Sequence, residues 1–323
     1  MAFLNKVFSK KAGDDSTSIV KDAAAFPLAT AQRAFYLHLF PKKTEQPLSV
    51  PQKLVIDVVK NTIQDKNTRR KAVPRLPSVI PKLLRSLRDP DSSVKDYVEI
   101  VNKDPVMSAS VLKLANSVYF NPIGARINEI ERAIVKLGID GLRSVLSAAV
   151  MQPIIQKESA YFTQAGQKIW QHSLNCAVAC EVIAQHRSSE KFKVYILGLM
   201  HDIGKITIFS ELCKQFKINN EDVEPGYNAF APLMMLLSPA VSYWVAKDWE
   251  LPQEVCKALA EQVNIKNEAK VSPFAKILFE ANIACEAYAT LRGRDEKKAL
   301  ALLEELQLPS HLFDQLDQLS RDV

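Results

Sequence analysis

The chain is 323 residues long, 47% hydrophobic and 24% charged, the balance of a soluble globular protein with one large core or two smaller ones. Only 9 glycines occur, too few for a large antiparallel β protein or a Gly-rich phosphate cradle, and neither GxGxxG nor GxxxxGK[ST] is present. Residues 1–75 carry 14 Lys/Arg against 6 Asp/Glu while residues 76–323 carry 28 against 30, so the body is near neutral and no nucleic acid is expected as a partner.

Residues 1–16 mix Phe3, Leu4, Val7 and Phe8 with Lys6, Lys10 and Lys11. They read as a frayed terminus, with a short amphipathic helix as the alternative. The basic excess here is a solubilising face or flexible arm, or else a dock for an acidic partner or membrane surface. Residues 17–46 hold one or two short helices ending near Pro41. Leu54, Val55, Val58, Val59 and Ile63 fall at helical spacing and predict a helix over 50–66. The basic stretch Lys66–Arg75 reads as a linker or exposed turn. It separates a partly flexible, basic helical extension (1–71) from a main domain (72–323). That domain divides into a helical subdomain over 72–156 and a helical core over 157–323. The extension is expected to pack on the main domain or to contribute to a homodimer.

Beyond the boundary, helical signals follow one another. Leu76–Leu87 has Pro77 and Pro81 in its first turns, where proline is tolerated. Asp91-Ser92-Ser93 caps a helix through Val94–Val101. Asp104-Pro105 opens another, with Val111, Leu112 and Leu114 inward. Glu129–Leu137 is closed by Gly138, and Ile139–Gln156 follows. Next come a long helix over Phe162–His186, one through Val194–Met200, and at least six more. Pro225–Ala246 runs 22 residues without a charge, but its three prolines predict two buried helices rather than a membrane span. No strand-like alternation and no repeat is found, so the class is all-α, in a compact multi-helix arrangement. Five cysteines (Cys176, Cys180, Cys213, Cys256, Cys285) lack CxxC spacing and read as reduced core thiols of a cytoplasmic protein. No secretory leader is read at the N-terminus.

The chemistry concentrates in Trp170-Gln171-His172-Ser173 and, 29 residues after His172, in His201-Asp202-Ile203-Gly204-Lys205. A His-Asp pair at a helix end can aim two ligands into one cleft, and Gly204 can end that helix in a left-handed conformation. With His172 from the preceding helix this offers a partial metal site of two imidazole nitrogens and one carboxylate oxygen. The structural alternative is a pair of hydrogen-bonded core histidines, with Asp202 capping a helix or pairing with Lys205. Asn116-Ser117 reads as a helix C-cap, and Trp170, Trp244 and Trp249 read as packing anchors.

His172, His201-Asp202 and the phrase Gly198-Leu199-Met200-His201-Asp202-Ile203-Gly204-Lys205 resemble the HD superfamily of metal-dependent phosphohydrolases. Leu76-Pro77-Ser78-Val79-Ile80-Pro81, Asp104-Pro105-Val106-Met107, Leu114-Ala115-Asn116-Ser117, Ala133–Gly138 and Trp249-Glu250-Leu251-Pro252 narrow this to the HDOD domain of bacterial signalling proteins. The likeness runs from about residue 72 to about residue 318. It implies an all-helical fold, with a helical subdomain packed on an HD-like core. The HD pattern also implies a final aspartate from a later helix, and this chain has Asn282 there. The extra histidines and Gly-Tyr-Pro of the HD-GYP enzymes are missing as well: the chain has only 5 histidines, and Gly226-Tyr227-Asn228 sits too early.

The resemblance and its departures imply a non-catalytic signalling module. It would act through contacts with other signalling proteins, carry a degenerate metal site and need no cofactor. The alternative is a divergent phosphohydrolase on a nucleotide or cyclic dinucleotide. There His172, His201 and Asp202 would hold Mn, Fe or Mg, Glu261 or Glu280 would replace the lost carboxylate, and Lys205 would neutralise phosphate. A third reading is a sensor that binds a nucleotide second messenger without hydrolysing it.

Overall fold

A computed structural model of the chain describes residues 25–40, 47–73, 105–122, 124–155, 160–187, 189–218, 226–263 and 270–320, together with 95, 98, 101 and 265. Among these residues the fold is all-α, with no strand. The terminal residues 1–16, the helix expected over 76–87 and most of the one expected over 94–101 lie outside the described residues.

Helix α1 (Ala25–Leu39) ends just before Phe40-Pro41, because the residue preceding a proline is pushed out of the helical region. Helix α2 (Val50–Gln64) starts with a capping box. The Ser49 hydroxyl accepts from the Gln52 amide at 3.2 Å, and the Gln52 side chain accepts from the Ser49 amide at 3.0 Å. Val55, Val59 and Ile63 face inward, whereas Leu54 and Val58 of the same apolar run face out.

The stretch read as a linker is instead a helix, α3 (Lys66–Ala72). Asp65 caps it by accepting from the amides of Asn67 and Thr68. Arg69 then turns inward. Its guanidinium lies 3.9 Å from the centre of the Trp244 ring and donates to the Ile63 carbonyl at 3.1 Å. A basic run thus contributes a buried anchor as well as a solvated face.

Helix α4 (Pro105–Ala115) packs on α5 (Ile130–Ile155). Asn116 does more than cap α4. Its amide donates to the Leu112 and Ile127 carbonyls and its oxygen accepts from the Ile127 amide, each at 2.7 Å, so it ties the following loop to the helix end. The α5 run is two helices broken at Gly138, whose φ of 68° only glycine adopts freely. That break falls where the sequence places it.

The core is built on α6 (Ala160–His186) and α7 (Lys191–Met200), which pack along one another. Helix α8 (Ile203–Ile218) packs on α9 (Tyr227–Asp248), and α10 (Gln253–Gln262) joins α9 to α11 (Pro273–Leu291). Helix α11 lies against both α1 and α6. Helices α12 (Glu296–Glu305) and α13 (Leu312–Ser320) close the described fold.

Helix α9 corrects an expectation: Pro232 and Pro239 sit inside one continuous helix rather than dividing two. Each interior proline costs about 3 kcal/mol. Burial of Phe230, Leu233, Met234, Leu237, Val241 and Val245 on the surrounding helices outweighs that cost. By length and composition α9 could cross a bilayer, but 67% of its most apolar window is buried inside the protein.

Candidate functional site

Four helices deliver the polar cluster. His172 and Cys176 stand one turn apart on α6, and His201 closes α7. Asp202 follows in the corner before α8, whose first turn carries Lys205, while Asn282 and Glu286 stand one turn apart on α11.

Two glycines set these positions. A Cβ on Gly198 would lie 2.5 Å from the Cys176 carbonyl oxygen, so α7 crosses α6 in backbone contact and brings His201 up to His172. Gly204 does not take the left-handed conformation expected of it, since it lies inside the first turn of α8. It is needed for closeness instead: a Cβ there would lie 2.1 Å from the Ser238 carbonyl oxygen of α9. The Ser242 hydroxyl accepts from the Gly204 amide at 2.9 Å and donates to the His201 carbonyl, pinning the corner to α9.

The side chains of His172, His201, Asp202 and Asn282 meet around one point. Asn282 Oδ1 lies 3.0 Å from His172 Nε2 and 3.1 Å from His201 Nε2. Asn282 Nδ2 donates to Glu286 Oε1 at 3.3 Å, which orients the amide so that its oxygen faces the histidines. His201 Nδ1 lies 2.6 Å from the Gly198 carbonyl oxygen; that oxygen can only accept, so Nδ1 carries a hydrogen. Asp202 Oδ1 accepts from Lys205 Nζ at 2.7 Å and lies 3.0 Å from His201 Nε2. Its Oδ2 has no hydrogen-bond partner among the described residues and lies 3.5 Å from His172 Nε2. The Cys176 thiol is 3.5 Å from His172 Nε2.

Burial and charge pull these groups apart in acidity. Burial presses the Asp202 carboxyl upward, but His201 and Lys205 outweigh it and hold the group well below the usual carboxylate range. Burial likewise opposes charge on Lys205, and the Asp202 carboxylate reverses this and raises it. His201 is raised to about 10, again because Asp202 outweighs burial. His172 is lowered to about 3 by burial, against the pull of Asp202, and so is neutral. Burial raises Glu286 to about 7. The ionised Asp202 carboxylate is therefore flanked by two cations, His201 and Lys205.

The roof comes from α1. The Phe35 ring of α1 packs on the His172 ring at 4.3 Å between centres, and Lys205 Nζ sits 5.4 Å from Phe35 and 5.8 Å from Tyr36. Beside them a cavity of about 310 Å³ is lined by Gln32, Tyr36, Lys205, Ser238 and Asn282, with His201 and Asp202 among its walls.

His172, His201, Asp202 and Asn282 thus converge. Lys205 joins them as the partner of Asp202 rather than as a free cation. Glu261 and Glu280 are engaged elsewhere, Glu261 with Ser272 and Glu280 with Arg187. The sequence reading missed Phe35, Tyr36, Cys176 and Glu286. The spacing of four between His172 and Cys176, and between Asn282 and Glu286, was the available signal for two of them.

The profile of the HDOD domain matches residues 73–265, more than half of the chain. An uncharacterized protein of Treponema pallidum (strain Nichols) is 21% identical over 229 residues, which are 69% of this chain but only 42% of that relative. The crystal structure of an HDOD domain protein of unknown function from Geobacter sulfurreducens is similar at a TM-score of 0.56 and 19% identity, over 83% of this chain and 99% of that one. A structure from Shewanella amazonensis SB2B, whose name as a metal-dependent phosphohydrolase is itself provisional, reaches a TM-score of 0.60 at 19% identity, over 84% and 98%. These structural likenesses concern the fold.

Proposed function

This chain belongs to the HDOD domain family, and from that premise we propose that it is a non-catalytic signalling module acting through contacts with other signalling proteins. One observation carries the reading: Asn282, not a carboxylate, faces His172 and His201, while the remaining carboxylate, Asp202, is bound by Lys205 at 2.7 Å.

The HD fold implies a catalytic divalent metal such as Mn, Fe or Mg. These residues do not fit one. Hard cations want several anionic oxygens. Here the amide of Asn282 brings no charge, and the charge of Asp202 is already balanced by Lys205. Glu286 is turned to Asn282 Nδ2 and held partly protonated by burial. No step of metal-assisted hydrolysis is derived for this site.

The test is an assay of the full chain with Mn²⁺, Fe²⁺ or Mg²⁺ on an activated phosphodiester and on cyclic di-GMP. The expected result is no turnover above that of His201→Ala. Metal-dependent hydrolysis that disappears in His201→Ala would overturn the proposal.

A second reading is favoured by the cavity of about 310 Å³ that opens beside Lys205 and Tyr36: a nucleotide messenger is bound there without being hydrolysed. Calorimetry with cyclic di-GMP and related nucleotides checks it, and absence of heat across the panel disposes of it.

A further inference from the structure

We propose that the outward face of α2 is a self-association surface, through which two copies of this chain pair about a twofold axis with their α2 helices antiparallel. The inference goes beyond the reading of the polar site and does not depend on it.

Helix α2 is apolar on two sides. Val55, Val59 and Ile63 are buried, and the helix packs on α8 and α9. Val50, Leu54 and Val58 turn away from them and are 71%, 60% and 46% exposed. At four-residue spacing these three share an arc of about 80° and form one ridge about 12 Å long. They are three of the six large apolar side chains exposed among the described residues, and Val135, Leu236 and Leu300 stand singly on other helices. A lone exposed apolar group is ordinary, whereas a ridge of them on one helix marks a contact.

Charge beside the ridge selects the occupant. Lys53 and Asp57 are exposed, one turn apart, on the same flank of it. A twofold axis between antiparallel helices brings like flanks together. In the register that centres this axis on Val55, Lys53 of one copy is level with Asp57 of the partner subunit, and the reverse pair forms at the same time. The same register staggers the two ridges. Val50, Leu54 and Val58 then alternate with their counterparts at steps of about 3 Å, ridge into groove. Parallel helices would instead set this flank against the opposite one, where Pro51 and Thr62 offer no charge. An anionic lipid surface would be repelled by Asp57, which stands between Lys53 and Lys60.

Size sets the strength. The 15 residues of α2 span about 22 Å. One helix face of that length covers less than the roughly 800 Å² per partner of a standard interface. The pairing is therefore weak and concentration-dependent, with a dissociation constant in the micromolar range or above.

The experiment is sedimentation of the full chain from about 1 µM to about 1 mM. The expected result is a rise from the 36.1 kDa monomer toward the dimer. Leu54→Glu, at an exposed position, should raise the dissociation constant by about 10-fold or more at an unchanged circular dichroism spectrum, because each substitution acts twice across a twofold contact. Lys53→Glu should raise it by about 3- to 10-fold, two rim pairs being lost at once. Adding Asp57→Lys to Lys53→Glu should return it to within about twofold of the parent, since the pairs reform with their signs exchanged. A chain that stays monomeric throughout, a dimer indifferent to Leu54→Glu, or a double exchange that fails to restore pairing overturns the proposal. So does a monomeric chain that floats with phosphatidylserine vesicles and ceases to do so in Leu54→Glu, which would assign the ridge to a lipid surface. None of these outcomes bears on hydrolysis at the polar site, so this failure and that of the non-catalytic reading are distinguishable.

Discussion

Gly204→Ala sets two effects against each other. In helix α8 an alanine is favoured over glycine by about 1 kcal/mol on propensity alone. Packing opposes it. The new methyl would lie 2.1 Å from the Ser238 carbonyl oxygen and 2.8 Å from the Ser242 amide nitrogen, both backbone atoms of α9 that cannot rotate aside. Overpacking of this kind costs about 1–3 kcal/mol. Moving α8 away to relieve it also breaks the 2.9 Å bond from the Gly204 amide to the Ser242 hydroxyl. A buried N–H left unpaired costs a further 1–3 kcal/mol or so. The balance is a loss of about 3 kcal/mol, near the middle of those ranges after the propensity gain is subtracted. Urea unfolding followed by circular dichroism measures it, as a lower midpoint at unchanged slope. A Gly204→Ala protein as stable as the parent, or more stable, would refute the close crossing of α8 and α9 and with it the geometry that positions His201.

Phe35→Ala should destabilise the fold by about 3–5 kcal/mol, the usual cost of removing a buried phenylalanine, since Phe35 is 1% exposed against His172; a change under about 1 kcal/mol in urea unfolding would mean that α1 is only loosely docked. Arg69→Lys keeps the charge but loses the planar stack on Trp244 and the bond to the Ile63 carbonyl, and should cost about 1–2 kcal/mol by thermal or urea melting. His38 is held below its ordinary value by burial, then by Lys168 and Arg294. Its neutral form is therefore the folded one, and its contribution is complete above its unfolded value of about 6.5 and is lost as pH falls below it. The urea midpoint of His38→Gln should decline less than that of the parent between about pH 7 and pH 5, and an equal or steeper decline would contradict the shift.

Most of the helical fold was legible because the signals were local. The capping box at Ser49, the apolar spacing of Val55, Val59 and Ile63, and the break at Gly138 each act over a few residues. What sequence missed depends on distant neighbours. Pro232 and Pro239 argue for a broken helix, and only the core around α9 shows why the helix runs through them. Lys66–Ala72 is basic enough to pass for a linker, and only Trp244, far along the chain, reveals that Arg69 is buried. Gly204 carries the signature of a helix end, yet it serves a crossing with α9 that no local pattern encodes. At the site, His172, His201, Asp202 and Asn282 were identified from their motif. Phe35 and Tyr36 could not be, because they precede the motif by more than a hundred residues and look like any apolar pair on a helix.

That last omission changes the role of α1. Phe35 covers His172, Tyr36 lines the cavity, and Phe40 stacks on Phe230 at 5.1 Å while lying 5.8 Å from Phe209. Helix α11, which carries Asn282 and Glu286, is packed on both α1 and α6. Removing α1 would therefore uncover an apolar face of α11 and open the His172–Asp202 cluster to water. Water would then screen the attraction by which Asp202 and Lys205 hold each other charged. Helix α1 and the polar site are consequently one structure.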